Sequence, residues 1–523
     1  MNPHESFIVI LDFGGQYTHL ISRRIRDLGV YSEIRPFNVG ISKIKEIPNL
    51  KGVILSGGPS SVYDPNAPHL DKKLLEYFIN KNIPILGLCY GHHMIAQMMG
   101  GVVKNEDNKE FGKTTLSVIR SESLMEGLQE QEIVWMSHGD QIESLPDGYK
   151  IYAKTVNCPI AAYGSDDKGV YGLQFHPEVV HTLSGNKILS NFLFLICKCK
   201  KSWKMEDWIT KAIKEIQDVV GKESVLLGLS GGVDSSVTAR LLQKAIADRV
   251  HPVFVNNGLL RENEEKEIID TFQEQLKFKN FHYVDASNLF LERLVGITDP
   301  EEKRKIIANT FIEVFEEKAA ELKHQYPNIT YLAQGTIYPD RVESSATSIA
   351  SSKIKSHHNV ILPDNMLLKL IEPLRDLYKD EVRKIGKDLL PDYLINRQPF
   401  PGPGLAVRCI GEITKVKLAI LKKADLIVRE EIEKIPGLQD TLWQYFAVFL
   451  PVKTVGVMGD ARTYESVCVV RAVQSKDAMT SNFAKLDWEL LENISSRIIN
   501  EVRGINRVVY DISNKPPSTI EFE

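Results

Sequence analysis

Four apolar runs in this chain end on glycine and pass straight into helical periodicity: "FIVILDFGG" from Phe7, "GVILSGG" from Gly52, "IPILGLCYG" from Ile83 and "SVLLGLSGG" from Ser224. An unbroken apolar run bounded by glycine marks a strand buried on both faces. Between such runs lie amphipathic stretches such as "THLISRRIRDLG", "LLEYFINKN", "WITKAIKEIQDVVG" and "SSVTARLLQKAIA". Strands and helices alternating in this way build parallel sheets with right-handed crossovers. Ligands then bind beyond the carboxyl ends of the strands, where Ser56-Gly57-Gly58, Cys89-Tyr90-Gly91 and Ser230-Gly231-Gly232 fall.

The chain has 523 residues, too many for one core. The basic stretch "KCKKSWK" and the break "PFPGPGLAVR" divide it into expected domains at 1–203, 204–398 and 399–523. The last segment mixes helices with the strand-like runs "VCVVRAV" and "RVVYDIS", as a small α+β domain does. A net charge of −4 gives no support for a general nucleic-acid or membrane surface. Six cysteines without metal-ligand spacing argue for a reducing compartment, and Cys197 and Cys199 in "CKCK" read as a solvated linker. No targeting signature opens the sequence, and "FLFLIC" is far too short to span a membrane, so the cytoplasm is expected.

Cys89 sits where a strand turns into a helix, flanked by Gly87 and Gly91. Such an elbow exposes a thiol, and helix N-terminal N–H groups favour its thiolate. In "GLQFHPEVV", His176 and Glu178 are two apart in extended chain and face the same way, so the carboxylate can fix the imidazole tautomer. His92, His93, His138 and His181 have no metal-ligand spacing and are expected to be structural or supporting. "LGLSGGVDSS" is a phosphate cradle of backbone N–H groups, not a Walker A loop, because the lysine is missing.

"LSGGPSSVYD", "GLCYGHHMIAQ" and "GLQFHPEV" resemble the signatures of class I glutamine amidotransferases, a flavodoxin-like fold. The resemblance implies that Cys89 attacks the glutamine amide, His176 moves protons, Glu178 orients His176, and the amides of Gly58 and Tyr90 form the oxyanion hole. "MSHGDQIESLP" (136–146) would help bind glutamine. "LGLSGGVDSS" resembles the PP-loop ATP pyrophosphatases, whose domain is adenine-nucleotide α-hydrolase-like. There Ser230, Gly231, Gly232, Val233, Asp234, Ser235 and Ser236 would hold the pyrophosphate. Asp234 would place Mg²⁺, Phe254 and Val255 would line the adenine pocket, and Gln334 and Gly335 would share the rim.

"RQPFPGPGLAVR", "VGVMGDART", "KIKSHHNV" and the terminal "KPPSTIEFE" resemble the glutamine-hydrolysing GMP synthases over the whole chain. That resemblance implies XMP, ATP and glutamine as substrates, no tightly bound organic cofactor, and a homodimer through the C-terminal domain. XMP would be held by Arg304, Lys515, Thr519, Ile520 and Glu521. Residues 344–369 would form a lid over ATP. The chain departs mildly at Gly15, where serine is more usual, and at Arg341. An NAD synthetase shares the PP-loop but carries a nitrilase-type amidase, which "GLCYG" with "HPE" does not resemble. A catalytically dead sensor would show a lost nucleophile or a broken loop, and neither is seen.

Overall fold

The computed structural model describes residues 5–342, 368–458, 461–475 and 480–523. They form two compact units, one built on residues up to Trp208 and the other on most of those after it. Of the expected lid, only Leu368 and Lys369 lie within the described residues.

In the first unit the strands are β1 (Phe7–Asp12), β2 (Tyr31–Pro36), β3 (Leu50–Leu55), β4 (Ile85–Leu88), β5 (Val102–Val118), β6 (Gln131–Ser144), β7 (Lys150–Lys154), β8 (Ala162–Ser165) and β9 (Val170–Leu173). They make one sheet in the order β2-β1-β3-β4-β9-β8-β7-β5-β6. The first five in that order run parallel, as the apolar runs require. Ile8, Val9, Ile10, Val53, Ile54, Ile85 and Leu86 are fully buried, because helices cover both faces.

The antiparallel half, β5 to β8, was not expected. β5 carries lysine, asparagine and glutamate over most of its length, so no apolar run announces it. Cys197 and Cys199 also differ from expectation. Both are buried rather than solvated, and an added Cβ at Gly52 would come within 2.5 Å of the Cys197 sulfur.

The second unit holds β10 (Ser224–Leu229), β11 (Val250–Asn256), β12 (His282–Asp285), β13 (Ile329–Ala333) and β14 (Lys369–Ile371), parallel in the order β12-β11-β10-β13-β14. β12, "HYVD", is short and half polar, which hid it among glutamate- and lysine-rich helices. The helix Pro300–Gln325 starts on Asp299, whose side chain accepts from the Glu302 amide at 2.8 Å, with proline in its first turn. β15 (Gln444–Met458), β16 (Ala461–Gln474), β17 (Asn482–Phe483) and β18 (Ile505–Tyr510) form another sheet, packed with helices Lys415–Glu433 and Trp488–Glu501. One hydrophobic cluster runs under both sheets, from Leu226, Val253 and Phe315 to Ala447, Ile494 and Ile498. Among the described residues no helix is long and apolar enough to cross a membrane.

A shared core makes a cooperative prediction. Ile494→Ala, at a fully buried position, should cost about 2–5 kcal/mol. Native-state hydrogen exchange should then show β10 and β16 losing protection together; loss confined to β16 would mean two separate cores.

Candidate active sites

Cys89 follows β4 directly and precedes the helix Tyr90–Met98, with φ +51° and ψ −102°. A residue with a Cβ is held in that region only where its surroundings force it. Here backbones touch on either side. A Cβ on Gly87 would lie 2.4 Å from the Gly91 carbonyl oxygen, and one on Gly91 would lie 2.5 Å from that of Leu55. The Cys89 amide donates to Leu173 O at 2.8 Å, pinning the elbow to β9.

The chain after β9 brings in His176 and Glu178, both buried, with His176 Nδ1 2.7 Å from Glu178 Oε1. With Nδ1 carrying the proton, Nε2 is left as the base. Thr182 Oγ1 donates to His176 O at 2.6 Å and Arg24 Nε to Glu178 O at 3.0 Å, so the backbone of the pair is fixed as well. Burial opposes a charge on His176, but the Glu178 carboxylate and the Cys89 thiol outweigh it and hold the imidazole pKa well above its ordinary value. Gly57 lies against both reacting groups: a Cβ there would be 3.4 Å from His176 Cε1 and 3.7 Å from Cys89 Cβ.

Gly57, Gly58, Cys89, Tyr90, Asp140 and His176 line a cavity of about 450 Å³. Tyr90 is the first residue of its helix, where a backbone N–H has no carbonyl one turn earlier. Asp140 was not singled out from the sequence. It accepts from Tyr63 Oη at 2.7 Å and brings a carboxylate to the cavity wall. His93 and His138 reach the same wall. Burial pushes His93 down to about 4, so it is neutral at pH 7, and its Nε2 is 2.6 Å from Gln174 Oε1. His181 stacks on Trp135 at 4.5 Å instead. Gly15 is also explained, since a serine Cβ there would lie 2.5 Å from Gly57 O.

At the end of β10 the turn Ser230–Gly232 leads into the helix Val233–Ile246, with Gly231 at φ +74°. Ser230 Oγ is 3.1 Å from Ser235 Oγ, and the Ser235 and Ser236 hydroxyls donate to Gly232 O at 3.0 and 2.8 Å. Gly335 packs on this loop, and a Cβ there would lie 3.2 Å from the Ser235 amide. The Gln334 amide instead pairs with Ile371 O in the sheet. Arg397 Nη1 donates to Gly231 O at 2.8 Å. Lys379 Nζ is 2.5 Å from Asp234 Oδ2, while Asp234 Oδ1 is buried without a partner among the described groups. Such an oxygen fits a hard divalent cation. Phe254 and Val255 are the residues expected at the adenine pocket. Both lie within β11, 1% and 4% exposed, because a central parallel strand is covered on both faces.

A second cavity, of about 630 Å³, opens beside the end of β11 and is lined by Asn256, Arg261, Lys266, Asp285, Lys415 and Lys422 among others. Arg261 is nearly buried, and burial pushes it down to about 10 against the pull of Asp425, leaving it a cation at pH 7. Its Nε and Nη2 have no hydrogen-bond partner among the described groups. The Phe400 ring centroid lies 4.3 Å from the guanidinium of Arg261 and 5.2 Å from that of Arg408. Arg408 in turn forks Glu521 at 2.8 and 2.9 Å. The structure thus links Glu521 to the cavity wall. Arg471 Nη2 holds Thr519 O at 3.0 Å, Ile520 packs under the C-terminal sheet, and the backbone of Lys515 pairs with that of Ser481. Arg304 stays on the surface of its helix, paired with Glu301 at 3.1 Å.

Three family profiles match: glutamine amidotransferase class I over residues 9–196, NAD synthase over 203–302, and the GMP synthase C-terminal domain over 430–522. GMP synthase [glutamine-hydrolyzing] of Brachyspira hyodysenteriae is 54% identical over 99% of both chains. The chain belongs to the glutamine-hydrolysing GMP synthase family. Relatives from Campylobacter hominis and Thermosipho melanesiensis are 53% and 52% identical, again over 99% of both chains. The NAD synthase profile covers the PP-loop that GMP synthases share with that group, and the flanking amidotransferase and C-terminal profiles separate the two. Arg261 and Lys379 were missed because each is an ordinary charged residue in a loop or helix start, whereas Asp140 falls in the 136–146 segment expected to help bind glutamine. Of the two missed, Arg261, five residues past the end of a parallel strand, carried a signal of position.

The His176–Glu178 pair fixes a pH dependence. A raised histidine pKa gives stability that is complete below about 6.5 and is lost as pH rises through the raised value. Glu178→Gln should therefore lose most stability at pH 6, with the gap to the parent narrowing by pH 9. Urea unfolding at both values checks this, and a gap that widens with pH would reverse the sign.

Proposed function

We propose that this chain converts XMP to GMP in two half-reactions, with ammonia released at Cys89 and XMP activated by ATP at the loop Ser230–Ser236. The reading rests above all on the buried His176–Glu178 pair, at 2.7 Å, facing a cysteine held at φ +51°. Cys89 Sγ attacks the glutamine side-chain carbonyl as the thiolate, its proton held on His176 Nε2. The amides of Gly58 and Tyr90 receive the oxyanion. His176 returns the proton to the departing nitrogen, ammonia leaves, and water activated by His176 hydrolyses the thioester to glutamate. Asp140 faces the α-ammonium of glutamine.

At the second site XMP O2 attacks the α-phosphorus of ATP. The loop amides and the N-terminus of the helix Val233–Ile246 hold the departing pyrophosphate. Asp234 Oδ1 would hold Mg²⁺, which supplies neutralising charge at the phosphates. Lys379 and Arg397 add positive charge beside the loop. Ammonia then displaces AMP from C2. Arg261, in the wall of the cavity beside β11, supplies a cation for XMP, whose other contacts are Arg304, Lys515, Thr519, Ile520 and Glu521. The domains are 1–203 for glutamine hydrolysis, 204–398 for ATP and 399–523 for XMP and dimerisation. Exposed Val455, Val457, Tyr464 and Val509 on β15, β16 and β18 support a homodimer through the C-terminal sheet. Six unpaired cysteines support the cytoplasm.

Cys89→Ala should lower glutamine-dependent GMP formation by more than about 10³-fold and leave ammonia-dependent formation intact. Asp234→Asn should do the opposite to the second half, cutting synthesis with either nitrogen source by about 10²-fold or more. Chromatography of nucleotides with each nitrogen source checks both, and AMP rather than ADP must accompany GMP. Val457→Lys together with Tyr464→Lys should turn a dimer into a monomer in sedimentation velocity. A parent that already sediments as a monomer would refute the dimer.

A further inference from the structure

Three buried cations hold the segment 511–523. Arg471, fully buried, donates to Ser513 O at 2.7 Å and Thr519 O at 3.0 Å, and pairs with Asp511 at 3.0 Å. Arg408, equally buried, forks Glu521. The third is Lys303, with no exposure, whose Nζ donates to Cys409 O at 3.0 Å and to Glu523 Oε2. Glu523 is gripped further: Oε1 accepts from the Gly411 amide at 3.1 Å, and its own amide donates to Val407 O at 3.2 Å.

Lys303 differs from the two arginines in where it comes from. Arg408 and Arg471 lie beyond residue 398, in the same stretch as the segment they hold. Lys303 projects from the helix Pro300–Gln325, which packs with β11 of the five-stranded sheet, and it precedes Arg304. A lysine is almost never fully buried unless its ammonium is paired. Replacing a buried ion pair by an apolar pair of similar volume is often neutral for stability, and imposing registry is the best-attested role of such pairs. Here the pair fixes where residues 511–523 sit against the helix Pro300–Gln325.

We propose that Lys303 is a positioning residue for XMP, acting through Glu523 to seat the segment that presents Thr519, Ile520 and Glu521. This rests on the reading that those residues contact XMP. Neither Lys303 nor Glu523 touches substrate. Their effect is on how well the nucleotide is gripped, and the chemistry at Ser230–Ser236 and at Cys89 does not depend on them.

The test is steady-state, ammonia-dependent GMP synthesis by the full chain carrying K303M, E523Q, the double substitution K303M/E523Q, or E521Q as a reference. The expected result for K303M and E523Q is a KM for XMP raised about tenfold or more, with KM for ATP within about twofold and the glutaminase rate unchanged. The double variant should be no worse than the worse single one, since one interaction is lost in all three. E521Q should raise KM for XMP directly. A raised KM in E521Q with none in E523Q and K303M overturns the positioning role alone. Equal rises in KM for ATP and XMP overturn it too, by showing general loosening. An E521Q enzyme with unchanged KM for XMP overturns the site reading and this inference with it. If K303M does not fold, E523Q and the double variant, which leaves no unpaired charge, carry the comparison.

Discussion

In a parallel sheet every strand points to the same rim, and each following helix turns its unbonded N–H groups towards that rim. Both candidate sites depend on this constraint. β4 delivers Cys89 and the N-terminus of the helix Tyr90–Met98, and β10 delivers Ser230–Gly232 and the N-terminus of the helix Val233–Ile246. On the proposed reading the same architecture serves an oxyanion in one unit and a pyrophosphate in the other, because each is an anion met by oriented backbone dipoles.

What differs is how side-chain charge is managed around the rim. At Cys89 the surroundings are nearly neutral. His93 is held uncharged by burial, and the Glu178 carboxylate is paired with His176. Around the second site cations gather: Lys379 and Arg397 at the loop, Arg261 and Arg408 against Phe400. Buried carboxylates keep these arginines charged and in place. Asp425, with no exposure, lies 3.8 Å from both Arg261 and Arg408, 3.2 Å from Arg429, and accepts from the Ala447 amide. An acidic residue at the centre of an arginine cluster repels phosphate less than it would in isolation, since three guanidiniums surround one carboxylate.

The parallel strands and the two glycine-rich turns were legible because their signals are local. β1, β3, β4 and β10 are short apolar runs ending on glycine, and the His176–Glu178 spacing is set by extended chain alone. β5, with its polar faces, and β12, only four residues long, carry no such pattern. Phe254 and Val255 lie inside β11, and membership of a strand does not by itself say which side chains reach its rim. Asp140 lies inside a strand of mixed polarity, and its carboxylate meets the cavity only because the β5–β6 hairpin joins the sheet edge.

By itself the sequence determined the strand-turn-helix units, the cysteine elbow at Cys89, the His176-Pro177-Glu178 run and the glycine-rich loop at Ser230, since each is written within about ten consecutive residues. Tertiary structure decided the rest. It brought Lys379 to Asp234 across 145 positions, Glu521 to Arg408 across 113 and Glu523 to Lys303 across 220. Contacts of that range leave no periodicity in the chain, because they depend on where whole elements pack and not on any neighbour in sequence.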